Sequence, residues 1–157
     1  MNLADLIITE AVVPELEAMD RNGVIRELVE SLGRHGAFDP SDCDRIVQTV
    51  IAREKQGSTG FGKGVAVPHV KHAAVKRMVA TIGRSSRGVD FAALDRAPVY
   101  TVVLLLSPIS DAEGHLAAME KVFRHLQRDN FRRFLRQADT REAIAELIAE
   151  ADELQEG

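Results

Sequence analysis

The chain has 157 residues, 45% of them hydrophobic and 28% charged, enough for one domain with its own core. A single cysteine excludes an internal disulfide and a cysteine-built zinc site, which points to a reducing, cytoplasmic setting. A net charge of −4, 4% aromatic residues and no Trp argue against a nucleic-acid-wrapping surface, and neither a signal peptide nor a membrane-spanning run is present.

In chain order, Leu3 to Ile7 spells one helical turn, and Ala11 to Leu16 a short strand interrupted by Pro14. From Asn22, Val24, Ile25, Leu28, Val29 and Leu32 fall on one helical stripe that Gly33 and Gly36 end. Asp39-Pro40-Ser41-Asp42 starts a second helix, with Cys43, Ile46, Val47, Val50 and Ile51 on its buried face. Four glycines within Gly57 to Gly64 break it, and Val65-Ala66-Val67 follows as a short strand stopped by Pro68.

Met78 to Gly83 and Val99 to Leu106 read as strands; the second is apolar on both faces and so belongs at the centre of a sheet. Asp111 to Gln127 is a helix with Leu116, Met119, Phe123 and Leu126 toward the core, and Phe131, Phe134 and Leu135 continue in a short helix. Asp139-Thr140-Arg141-Glu142 caps a last helix bearing Ile144, Leu147 and Ile148. Residues 1–150 form a single domain, and the tail from Ala151 to Gly157 is expected to fray. The expected class is α/β, a three-layer α/β/α sandwich around a mixed sheet.

Gly57-Ser58-Thr59-Gly60-Phe61-Gly62-Lys63-Gly64 nearly matches the GxxxxGK[ST] phosphate loop, but Gly64 replaces the magnesium-binding hydroxyl. The order helix–loop–strand is also the reverse of that motif, so nucleotide binding is rejected. The loop is either a flexible connection or an anion nest, with the amides of Gly60, Gly62 and Gly64 and the hydroxyls of Ser58 and Thr59 as donors.

Of five histidines, His69 follows Val67-Pro68 at a strand end, where ligands gather in α/β sheets. It is either a nucleophile for phosphorus, with Arg53 neutralising the transferred oxygens, or a hydrogen-bonded loop histidine. His72 makes a His-x-x-His pair with His69 but lacks a third ligand among the cations Lys71, Lys76 and Arg77, so no metal site is assigned. His115 lies at the border of a buried helix face, and His35 suits a helix C-terminus. His125 belongs to a run with Lys121, Arg124, Arg128, Arg132, Arg133 and Arg136, read as a solvated face interleaved with Glu120 and Asp129, or else as a docking patch.

Arg53-Glu54, Gly57-Ser58-Thr59-Gly60 and Gly62-Lys63-Gly64-Val65-Ala66-Val67-Pro68-His69 together resemble the signature of the mannitol/fructose-type enzyme IIA domains of the bacterial phosphoenolpyruvate-dependent phosphotransferase system. Gly88-Val89-Asp90-Phe91, Asp95, Pro98-Val99, Leu104-Leu105-Leu106 and His115-Leu116 extend the resemblance, which runs from about Leu6 to Leu147. It implies a phosphohistidine carrier without a bound cofactor. His69 would accept the phosphoryl group from the phosphocarrier protein HPr, His115 would hydrogen-bond it, and Arg53 and Thr59 would neutralise and orient it.

A IIB domain or a regulated target would receive it in trans, and a free-standing chain of this length resembles the nitrogen-regulatory branch. The alternatives are a fructose- or mannitol-transport component, a binding module of the same fold that transfers nothing, and a metal-dependent hydrolase using His69 and His72. The chain departs from the family pattern at Val70, where many members have Gly, and at Asp95-Arg96-Ala97-Pro98, where an Asp-Gly-x-Pro turn is usual. Phe61 is expected on a docking surface.

Overall fold

The computed structural model describes residues 1–156. Its elements are α1 (Leu3–Leu6), α2 (Arg21–Arg34), α3 (Cys43–Gln56), β1 (Val65–Ala66), β2 (His69–His72), β3 (Val79–Val89), β4 (Val99–Pro108), α4 (Ala112–Leu126), α5 (Asp129–Gln137) and α6 (Arg141–Glu156). Short 3₁₀ turns at Thr9–Ala11 and Pro40–Asp42 precede α2 and α3.

β4 is the centre of the sheet. Thr101 is flanked by Val65 of parallel β1 and by Arg84 of antiparallel β3, and Leu105 by His69 of parallel β2 and Ala80 of β3. The strand alternates between two cores. Val102, Leu104 and Leu106 pack with Val24, Leu28, Val47 and Val50 of α2 and α3. Val103 packs with Val122, Leu135 and Ile144 of the layer made by α4, α5 and α6, and Leu105 with Ala118 of α4. An apolar run on both faces demands a layer on each side, so the three-layer arrangement follows from β4.

Along the outer side of β3 the N-terminal segment makes single parallel bridges, Ile7 with Ala80, Val13 with Gly83 and Asp20 with Asp90. The expected strand from Ala11 to Leu16 is thus a 3₁₀ turn followed by one bridge. Gly83 permits the approach: a Cβ there would meet side-chain carbons of Leu16 and Leu28 at 2.8 and 2.9 Å.

Side chains fix the helix starts. Asp20 accepts from Gly23 N–H (2.8 Å), Asp39 from Ser41 N–H (2.9 Å), Asp111 from Gly114 N–H (3.0 Å) and Thr140 from Ala143 N–H (3.0 Å).

β1 stops before Pro68 as expected, but pairing with β4 resumes in the same register at His69, with the Pro68 carbonyl accepting from Leu105 N–H at 3.0 Å. The ladder is interrupted there because proline has no N–H to give on the β4 side. Two expectations are corrected. The buried stripe of α4 is His115, Ala118, Val122, His125 and Leu126, while Leu116 is 60% exposed. Second, residues 151–154 are the continuing helix of α6, with Ala151 and Asp152 buried; Gly157 lies outside the described residues.

Asp152 explains the ordered tail. Its carboxylate accepts from Leu3 N–H (2.8 Å) and Ala4 N–H (3.0 Å), so the last helix caps the first. Replacing it with Ala strands two donors, one of them buried. Asp152→Ala is expected to lower stability by about 1–3 kcal/mol, read as a lower urea midpoint, while Asp152→Asn, which keeps an acceptor, loses less.

Candidate functional site

The helical period of α3 puts Thr49, Ala52, Arg53 and Gln56 on one face, which borders an open cleft of about 730 Å³. The other walls are His69, Val70 and Lys71 of β2 and His115 of α4, together with Gln48. The cleft lies toward the carboxyl ends of the parallel strands β2 and β4, the usual ligand position in such sheets.

His69 and His115 come together although 46 positions separate them in the chain. Their ring centroids are 5.6 Å apart, and each residue is 9% exposed. His69 Nδ1 lies 2.7 Å from the Val67 carbonyl oxygen. A carbonyl can only accept, so the Nδ1 proton is fixed there and the Nε2 lone pair is left free. His115 Nδ1 lies 2.7 Å from the hydroxyl of Ser107, the last-but-one residue of β4.

Both imidazoles are held below the ordinary histidine pKa. Burial is the main cause at each; for His69 the Arg53 charge adds to it, while the Val67 bond and Glu54 oppose it. For His115 the neighbouring His69 and Lys71 add to burial. The site therefore presents neutral rings near pH 7, one with a defined free nitrogen.

Arg53 sits at the cleft edge, with Nη1 donating to the Gly57 carbonyl at 3.0 Å and its remaining N–H groups available. The glycine loop behaves differently from the expected anion nest. Thr59 N–H donates to both oxygens of Glu54 (3.3 and 3.1 Å), and the Thr59 hydroxyl bonds the same carboxylate. Gly60 N–H donates to Ser58 Oγ at 3.0 Å. One of the expected amide donors, Gly60 N–H, and both hydroxyls thus bond within the loop and its supporting helix, as does the Thr59 amide.

Gly62 and Gly64 lie elsewhere again, against Asp95 and Tyr100 respectively. Of the residues singled out from the sequence, His69, His115 and Arg53 meet at the cleft, while Ser58, Thr59, Gly60, Gly62 and Gly64 are outside its lining.

Two residues named in the sequence analysis were given no part in the site. Glu54 is 2% exposed yet continues the Ile46, Val50 stripe at four-residue steps. A carboxylate on a buried stripe just before a glycine loop is a legible sign of a latch. Lys71 shares the face of His69 by strand alternation and borders the same cleft.

Other candidates resolve structurally. His72 Nδ1 accepts from Ala74 N–H (3.0 Å), and His35 Nδ1 bonds the Ser31 carbonyl (2.8 Å) at the end of α2. His125 is fully buried rather than solvated, its Nδ1 accepting from Arg128 at 2.9 Å and its ring tilted against Phe131. Phe61, expected on a docking surface, is half-buried against Phe123 with centroids 5.3 Å apart. Val70 is extended in β2, so no glycine is needed there, whereas Arg96 takes up the left-handed conformation (φ 62°) that the usual glycine would supply.

The family described as "Phosphoenolpyruvate-dependent sugar phosphotransferase system, EIIA 2" matches residues 5–151. The chain is 30% identical over 152 residues to the fructose-specific EIIABC component of Bacillus subtilis, covering 97% of this chain but only 24% of that protein. It is 37% identical over 109 residues to a nitrogen regulatory protein of Pseudomonas aeruginosa, covering 69% of this chain and 71% of the relative. Among solved structures, the nitrogen regulatory protein IIA-Ntr of Neisseria meningitidis superposes with a TM-score of 0.82 at 27% identity, over 93% of this chain and 98% of that one. With nearly its whole length matched, and two imidazoles and a guanidinium gathered at one cleft, the chain belongs to the EIIA 2 family of phosphotransferase-system components.

Proposed function

We propose that the protein is a phosphoryl carrier with a regulatory output, that His69 Nε2 is the atom that carries the phosphoryl group, and that an HPr-type phosphocarrier supplies it. The observation that carries this reading is the 2.7 Å bond from His69 Nδ1 to the Val67 carbonyl, which leaves one nucleophilic nitrogen facing a cationic cleft.

Transfer needs no cofactor. The Nε2 lone pair attacks phosphorus, the donor's N–P bond breaks in line, and the electron pair returns to the donor imidazole. As the His69 ring gains positive character, the Val67 carbonyl holds its Nδ1–H and stabilises it. Arg53 and Lys71 face the developing oxygen charge from two elements. If the Ser107 hydroxyl donates to His115 Nδ1, the proton of His115 sits on Nε2 and can be offered to a phosphoryl oxygen.

Apolar side chains beside the site suit a protein donor. Ile109, in the turn after β4, and Leu116, next to His115, are each 60% exposed. The regulatory reading is supported by the nitrogen regulatory relatives. The second reading, a fructose-type transport component passing the group to a separate IIB domain, is supported by the match to a fructose-specific component over 97% of this chain.

Incubation with phosphoenolpyruvate, enzyme I and HPr is expected to add one acid-labile, alkali-stable phosphate, absent from His69→Ala. Equal labelling of that variant rules His69 out as the carrier. Onward delivery to a fructose IIB domain at the rate of HPr loading would favour the transport reading.

His115→Ala, checked for folding by circular dichroism, is expected to slow transfer by about 2–4 kcal/mol in barrier, roughly 30- to 1000-fold. A proton NMR titration is expected to place the His69 pKa below the free-histidine value of about 6.5, so the neutral acceptor persists as pH falls through that value. Phosphorylation should then raise the His115 pKa, because a nearby negative charge favours its protonated form. A His115 pKa that stays put or falls on phosphorylation contradicts the assigned contact.

A further inference from the structure

Away from the His69 cleft, at the β1 end of the sheet, a second concavity of about 320 Å³ lies between α5 and the turn that begins β1. Thr101 and Leu105 of β4 mark the two ends, four residues or about 13 Å apart along the strand. The chain carries a net charge of −4, yet Lys63, Arg132, Arg133 and Arg136 border this concavity with Asp129 as its one acid. We propose that it is a binding site for a small phosphate monoester or pyrophosphate, distinct from the phosphoryl-transfer site.

The guanidinium groups are held in place. Arg136 stands over the Tyr100 ring, its Cζ 3.5 Å from the centroid. Arg132 donates to the Leu126 carbonyl at 2.8 Å and pairs with Asp129, which removes that acid as a competitor for the other cations. Arg133 donates to Asn130 Oδ1 at 3.0 Å and stands over Phe134. Planar forks fixed this way lose little freedom on gripping an anion, and they match phosphate oxygens pairwise.

The opposite wall is a primed turn. Lys63 and Gly64 both have left-handed φ values (62° and 76°), with Val65 N–H directed at the Gly62 carbonyl. A lysine in that conformation is disfavoured relative to glycine or asparagine, and the turn sets it at the rim of the basic concavity. On α5, Arg132 and Arg136 are four residues apart, and Arg133 and Arg136 three, so like charges crowd one helical face at a cost to stability. A bound dianion relieves that repulsion. The size of the concavity favours a small soluble ligand over a polymer groove.

The proposal does not rest on the His69 reading, and amide shifts tell the two apart. Titration of the ¹⁵N-labelled full chain with pyrophosphate at low salt is expected to shift the amides of Lys63, Gly64 and residues 132–136. Lys63→Gln and Arg133→Gln, both at exposed positions, are each expected to weaken binding about tenfold, the loss of one charge-assisted contact. Shifts confined to Arg53, His69 and His115 overturn the proposal. Equal affinity for malonate, a dianion without phosphorus, overturns it too, as does binding of a single-stranded oligonucleotide or anionic vesicles with no response to pyrophosphate.

Discussion

Burial of β4 on both faces is the constraint from which the rest of the molecule takes its position. Alternate residues of one strand enter two separate cores, so helices must cover each side and the strand cannot slip by one register without exchanging them. Val65 and His69 pair along the same edge of β4, and Ser107 lies one residue from its end. The register that buries Leu104 and Leu106 also sets His69 opposite Leu105. The same strand leads through a short turn into α4, whose first turn carries His115. Two rings distant in sequence meet because both are tied to the carboxyl half of one buried strand.

Electrostatics at the cleft come from side chains on separate elements. Arg53 arrives from α3, Lys71 from β2 and His115 from α4, and each is placed by a different packing requirement. Glu54, adjacent to Arg53 but a helical step round, points inward and ties down Thr59. One dipeptide therefore supplies both a cation for the cleft and an anchor for the loop beside it. Neutralising Glu54 would disturb the loop first and the charge at His69 second, since Glu54 also opposes the lowering of the His69 pKa.

Much of this was legible from residue pattern. The stripe from Val24 to Leu32, the acids and Thr140 that cap helices, and the double-sided Val99 to Leu106 run each dictate their own structure locally. The helix–loop–strand order around the glycines was equally plain. The face of α4 was not. A reading weighted by hydrophobicity selects Leu116, Met119 and Phe123, yet the buried stripe runs one residue away through His115, Ala118, Val122 and His125. Two histidines with buried hydrogen-bond partners outweigh larger apolar side chains there, and such partners arise only in the folded chain. Likewise, the donors of Thr59 and Gly60 looked free because a reading by residue type gives Glu54 and the Ser58 hydroxyl no part as their acceptors.

The internal satisfaction of that loop has a wider consequence. A rigid crown of amides would fix the stability of an attached phosphoryl group once and for all. On the proposed carrier role, the balancing charge would rest on the arginine and lysine side chains at the open rim, arms that a protein settling over Ile109 and Leu116 would draw aside. How firmly the cargo is held would then become a property of the encounter, and the same surface would keep it in one company and surrender it in another.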